Sequence, residues 1–234
     1  MKRLKKLKII KPTYIKNEVV SRYNSILVSK KQKVFCIGLN KTGTSSLKKE
    51  MEQQNYIVGI QRQAELLFDD WVKRDFRRII NYCKTAQFFQ DAPFSYPYTF
   101  IAIDQAFPKS KFILTIRDNA EAWYNSLIRF HRKIWGNGNV PPTAEDLKNA
   151  NYIYKGFPYY SSMSLRNVPK DNPYKKDVLI DFYETYNKNI KDYFRHRPND
   201  LLIINLKEKD SYGRFCNFLG IEKKKEHFPW ENRT

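Results

Sequence analysis

The chain has 234 residues, 41% hydrophobic and 15% aromatic, which suits one buried core and argues against a disordered protein. Its formal charge of +19 calls for an anionic partner or a solvated basic segment. Cys36, Cys83 and Cys216 are odd in number, widely spaced and form no Cys-x-x-Cys pair, so neither a disulfide framework nor a metal site is expected.

In chain order the basic segment comes first. Residues 1–33 hold eleven Lys or Arg against the single acid Glu18, a net of +10, which leaves +9 for the other 201 residues. Such a run reads as a solvated tail or surface helix, with weak contact to an anionic membrane surface or to nucleic acid as its other use. There is no continuous apolar signal segment, and no stretch reaches the roughly 18 apolar residues of a membrane span. The protein is therefore expected to be cytoplasmic.

Buried strands are expected from Val34 to Leu39, Tyr56 to Ile60, Phe88 to Gln90, Lys111 to Ile116 and Leu201 to Asn205, because these apolar runs lack in/out alternation. Cys36 then reads as a small core residue. Pro97 is placed to open a helix over residues 98–107. Ala120, Trp123, Tyr124, Leu127, Ile128 and His131 share one helical face, with Asp118 and Glu121 resembling a capping box at its start. A further helix is written by Val178, Leu179, Phe182, Tyr183, Tyr186, Ile190, Tyr193 and Phe194. A last one runs near Tyr212, Phe215, Cys216 and Leu219, with Gly220 as its stop.

Strands alternating with helices predict a three-layer α/β/α domain over residues 34–234, with a parallel sheet of about five strands. Residues 135–173 break the rhythm with Gly136, Gly138, Pro141, Pro142, Gly156, Pro158, Pro169 and Pro173. Interleaved with Tyr152, Tyr154, Phe157, Tyr159 and Tyr160, they read as an irregular lid or substrate loop.

The first strand runs into Gly38-Leu-Asn40-Lys41-Thr42-Gly43-Thr44-Ser45-Ser46-Leu47. A strand-to-helix turn rich in Gly, Ser and Thr presents backbone N–H groups and the positive end of a helix to an anion. Gly38 and Gly43 have Walker A spacing, yet Thr44 fills the lysine position and Lys41 lies two residues before Gly43. A cation moved into the loop suits the 5′ end of an adenosine phosphate whose reactive group lies one unit further on.

Asn40 to Leu47 resembles the 5′-phosphosulfate loop of sulfotransferases that use 3′-phosphoadenosine 5′-phosphosulfate (PAPS), which release 3′,5′-adenosine bisphosphate (PAP). That family holds the 3′-phosphate with an Arg at a strand end and a Ser in the following helix. Arg117 and Ser126 match, although Ser126 stands nine residues after Arg117 where the family usually has eight. An Arg fork and a serine hydroxyl are both good phosphate donors. Asp91-Ala92-Pro93, the stretch from Phe107 to Arg117, Phe218-Leu219-Gly220 and Phe228-Pro229-Trp230 extend the likeness to bacterial members over residues 34–234.

The resemblance implies a P-loop-like fold and in-line transfer of a sulfuryl group to a hydroxyl or amine. Lys41 would stabilise the leaving oxygen, while Gly43 to Ser46 with Asn40 and Thr42 hold the 5′-phosphate. The base would be Asp91, which sits where cytosolic relatives carry a histidine, or Glu65, by analogy with carbohydrate-modifying relatives; Asp69 and Asp70 stand behind it. Tyr152, Tyr154, Tyr159, Tyr160 and the rim residue His131 are the candidates for acceptor contact. No metal is expected, and an anionic glycan or lipid headgroup is the acceptor class that the charge suggests. The competing readings are a P-loop nucleotide kinase, for which the lysine is misplaced, and a basic nucleic-acid module, for which no fold motif is present.

Overall fold

The computed structural model describes residues 12–229. The basic residues from Lys2 to Lys11, and Trp230 of the C-terminal resemblance, lie outside the described residues. A helix, α1 (Pro12–Leu27), precedes β1 (Val34–Cys36), which feeds α2 (Thr44–Gln53). Three short helices follow, α3 (Gln61–Glu65), α4 (Phe68–Val72) and α5 (Arg77–Tyr82), before β2 (Phe88–Phe89) and α6 (Thr99–Ala106). Then come β3 (Lys111–Thr115), α7 (Ala120–Trp135), α8 (Ala144–Asn149), α9 (Phe157–Arg166), α10 (Lys176–Phe194), β4 (Leu201–Ile204) and α11 (Ser211–Leu219).

These strands are all parallel, in the order β2-β1-β3-β4. Val34 of β1 pairs with Phe88 on one side and Lys111 on the other, and Phe112 of β3 pairs with Leu201. The expected strand from Tyr56 to Ile60 gives only a bridge, Val58 to Phe88, so among the described residues the sheet has four strands. The chain leaves the edge at once because α3 starts at Gln61.

Successive side chains of a strand point to opposite faces, and both faces are covered. Phe35, Phe112 and Leu114 pack into a large core with Trp123 and Leu127 of α7 and Leu179, Tyr183, Tyr186, Ile190 and Phe194 of α10. Val34, Cys36 and Ile113 pack into a smaller one with Leu47 and Met51 of α2 and Tyr212, Phe215 and Cys216 of α11. This is the three-layer architecture expected from apolar runs without alternation. Burial pushes the Cys36 thiol up to about 12, as befits an inert core residue.

Three local expectations need correction. Asn119, not Asp118, caps α7 by accepting the Ala122 N–H at 2.8 Å. Asp118 is drawn across to the end of β4, where Asn205 Nδ2 donates to it and Lys207 lies at 3.8 Å; Glu121 pairs with Lys176. Helix α6 begins at Thr99, because Tyr98 before it lies in the left-handed region, φ +66°. Residues 135–173 are not irregular throughout. They include α8, opened by a Thr143/Asp146 capping box, and α9, which follows Gly156 in the left-handed region and has Pro158 in its first turn. Helix α11 stops at Gly220, φ +64°, as expected.

Candidate functional site

In an open parallel sheet, ligands settle at the carboxyl ends of the strands where neighbouring connections leave in opposite directions. Here β1 connects onward to β2 on one side and β3 to β4 on the other, so the switch point lies between β1 and β3. The loop after β1 and the corner after β3 meet there and line one cleft.

Two glycines shape the loop. Gly38 lies so close to β3 that a Cβ would stand 2.0 Å from Thr115 Oγ1. Gly43 has φ +105°, and a Cβ added there would stand 2.6 Å from Leu206 Cδ1, so a side chain is both strained and crowded. The first bond of α2 is Leu47 N–H to the Gly43 carbonyl at 3.1 Å. The amides of Thr44 and Ser45 belong to the first turn, which has no intrahelical acceptors, and Gly43, Thr44, Ser45 and Ser46 all line the cleft. Thr42 does not: its hydroxyl donates to the Leu39 carbonyl at 2.5 Å and lies 2.6 Å from Thr115 Oγ1, and its N–H also turns back to Leu39. Thr42 holds the loop's shape and is removed from the anion contacts expected of it.

Arg117 joins the two corners. Its Nε donates to the Lys41 carbonyl at 2.6 Å and its Nη2 to Ser126 Oγ at 3.3 Å, while Trp123 Nε1 of α7 donates to the Asn40 carbonyl at 3.0 Å. Ser126 is buried and reaches the cleft through Arg117. Among the described residues neither Lys41 nor Arg117 is ion-paired; Lys41 Nζ lies 3.9 Å over the Phe130 ring. Burial and the nearby Arg117 and Arg129 push the Lys41 ammonium below its ordinary value, and burial lowers Arg117 too. Crowded, unpaired cations at a helix start are relieved when an anion enters.

Both carboxylate candidates line this cleft. Asp91 follows β2 in the left-handed region, φ +59°, and Lys41 follows β1 with φ +69°, two non-glycine residues in a costly conformation that fixes where their side chains point. Burial first, then the charge of Glu65, raise the Asp91 carboxyl to about 6; the Ala92 N–H, Lys41 and Arg166 oppose the rise. Glu65 is more fully engaged, accepting from Tyr152 Oη at 2.6 Å and Arg62 Nη1 at 3.3 Å. Among the described residues Asp91 Oδ1 accepts only the adjacent Ala92 N–H, at 2.9 Å. Asp69 and Asp70 do not line the cleft, and Asp70 pairs with Arg78.

Of the four tyrosines expected at the acceptor side, Tyr152 alone lines the cleft. Tyr159 Oη donates to the Lys170 carbonyl, Tyr154 packs edge-on against Phe157, and Tyr160 is 56% exposed. The cleft wall is instead made by Phe157, Pro158, Ser161, Leu165 and Arg166 of α9. His131 does line it, buried with Nδ1 2.8 Å from Tyr174 Oη and its pKa driven well down by burial and by Arg166 and Lys41, so it stays neutral. Sequence reasoning misses two cations: Arg129, whose charge bears on both Lys41 and Arg117, and the buried Arg166. Arg129 stands three residues after Ser126 on one helix face, a signal that the helical spacing does carry.

Among the described residues no helix is long and apolar enough to cross a membrane. A family model described as "Sulfotransferase domain" matches residues 33–234. No curated protein matches the chain.

Proposed function

This chain belongs to the sulfotransferase family and is a transferase of sulfuryl groups; from that premise we propose that PAPS is its donor and a hydroxyl or amine its acceptor. The observation that supports the donor assignment is the pair of hydrogen bonds that Arg117 donates, to the Lys41 carbonyl and to Ser126 Oγ, which ties the loop to the α7 corner at one cleft. Two phosphate sites, one with helix-start amides and one with an Arg/Ser pair, fit a nucleotide phosphorylated at both its 5′ and 3′ positions. A nucleoside triphosphate gives the second site no role.

PAPS supplies an activated sulfuryl group whose bond to the bridging phosphate oxygen breaks as the acceptor attacks. The chain's own groups do the rest. The loop amides, with Thr44 and Ser45, hold the 5′-phosphate, while Arg117, steadied by the buried Ser126, holds the 3′-phosphate and fixes the register. Lys41 meets the negative charge that grows on the departing oxygen. Asp91, poised near neutral pH, takes the proton from the acceptor. Glu65, held by Tyr152 and Arg62, keeps the Asp91 carboxyl basic.

The test is thermal melting of the full chain with PAP in the absence of Mg²⁺, beside ATP with Mg²⁺. At a hundredfold excess over Kd, a ligand of the folded state adds about 2.7 kcal/mol, or roughly 5–10 °C for a chain of this size. Stabilisation by PAP alone is the expected result. Stabilisation by ATP with Mg²⁺ and none by PAP would replace this reading with a kinase.

A further inference from the structure

Arg166 ends α9 with only 9% of its surface exposed. Among the described residues its one hydrogen bond is long, Nη1 to Ser162 Oγ at 3.4 Å, its buried Nε has no acceptor, and no carboxylate is ion-paired with it. A buried guanidinium left in that state is strongly destabilising, and Met or Leu would fill the place better if packing were all that mattered.

Position along the cleft says what the charge is for. Arg166 lines the same cleft as Asp91. Its electrostatic neighbours are Tyr174, Tyr96 and Asp91, and it bears in turn on His131. Those of Lys41 are Arg117, Asp91 and Arg129. Asp91 and His131 each feel both cations, so Lys41 and Arg166 face the same stretch of the cleft. Arg166 enters the cleft from the wall built by α9, whereas Lys41 and Arg117 enter it from the corners after β1 and β3.

We propose that Arg166 receives a small oxyanion carried by the acceptor itself, a carboxylate or a phosphate or sulfate ester close to the hydroxyl or amine that is sulfated. The proposal rests on the sulfotransferase reading and narrows the acceptor to anionic molecules. A guanidinium that lines the cleft without a carboxylate partner offers charge-assisted donors to such a group, which provides the pairing that the protein withholds. The neutral His131 and the Tyr96 ring beside it add no competing positive charge.

The experiment compares wild type with Arg166→Met, which keeps volume and removes charge, on two matched acceptor pairs: methyl glucoside against methyl glucuronide, and glycerol against glycerol 3-phosphate. The pair that responds identifies a carboxylate or a phosphate ester as the natural group. In wild type the anionic member should have a kcat/KM about 10- to 100-fold above its neutral partner, the range for a charge-assisted pair, and in R166M the ratio should fall to about one. Melting without ligand should be unchanged or higher in R166M, because an unpaired buried charge has gone.

A lower melting temperature with the preference intact makes Arg166 a structural residue and overturns the proposal. So does weaker PAP binding in R166M, which moves Arg166 to the donor side, and so does a wild-type preference for both neutral acceptors. If PAP fails to bind wild type and no transfer occurs, the donor reading falls by itself. Arg166 is then judged on ligand melting alone: stabilisation of wild type but not R166M by methyl glucuronide or glycerol 3-phosphate upholds it, and stabilisation of neither protein overturns it.

Discussion

Replacing Asp91 with Asn keeps the shape of the side chain and removes its charge, and the structure gives the sign of two separate effects. The carboxyl is raised from 3.8 to about 6, burial being the larger cause and Glu65 the next. A pKa unit corresponds to about 1.36 kcal/mol, so a rise of roughly two units means that the ionised form is disfavoured in the folded chain by about 3 kcal/mol. Solvent at the cleft mouth makes that an upper bound. Because the folded pKa lies above the unfolded one, the native state holds the proton more tightly; stability is highest below pH 4 and declines until about pH 6, beyond which the full cost applies. At pH 7.5 Asp91→Asn should therefore unfold at up to about 3 kcal/mol higher free energy in urea, while sulfuryl transfer falls by about 10²- to 10⁴-fold for loss of a general base. In wild type, kcat/KM should climb with pH through a limb near 6. Glu65→Gln removes a like charge, so that limb should move to lower pH. An Asp91→Asn enzyme with near-normal turnover, or a limb unmoved by Glu65→Gln, refutes the assignment of the base.

Lys41→Ala should reduce transfer by at least about 10³-fold with a melting temperature within a degree or two of wild type, since Lys41 forms no ion pair among the described residues and its backbone, φ +69°, is already costly. Arg117→Met should weaken PAP binding by about 10- to 100-fold in calorimetry and also lower the melting temperature, because it breaks the bonds to Lys41 and Ser126 that hold the corners together. Gly43→Ala forces a side chain into φ +105° against Leu206; it should cost about 1–3 kcal/mol in denaturation and abolish stabilisation by PAP.

Whatever chain neighbours decide is legible in the sequence. Gly38 to Ser46 reports its own strand-to-helix turn, and Arg117 with Ser126 spans one corner and two turns of α7, so both proposed anion sites show in the local pattern. Their meeting follows from the parallel sheet and holds because Arg117 bonds across to the Lys41 carbonyl. The α9 wall of the cleft is harder to read, for a physical reason. Gly and Pro are so dense between residues 135 and 173 that they hide the helical phase of α9, and without that phase the tyrosines cannot be told apart. Once α9 is known to be a helix, Pro158, Ser162 and Arg166 fall in one row four residues apart, next to Phe157, Ser161 and Leu165, while Tyr159 and Tyr160 turn away. Thr42 is hidden differently: its place depends on Thr115, 73 residues away, a contact that no local pattern announces.

The strand order itself explains why donor and acceptor chemistry can be separated in so small a space. Lys41 follows β1, Asp91 follows β2 and Arg117 follows β3, and the sheet places β1 between the other two. Neighbouring strands lie about 4.8 Å apart, so the three side chains emerge along one line, with the lysine flanked by the arginine on one side and the aspartate on the other. Under the proposed assignment, an in-line displacement uses that sequence of groups: a grip on the leaving nucleotide, a cation where charge develops, and a base on the far side where the nucleophile arrives. A different order, with β2 beside β3, would bring the Asp91 carboxylate against the Arg117 guanidinium and pair them, which would silence both. The four-stranded order β2-β1-β3-β4 keeps them one strand apart, each free for its own partner.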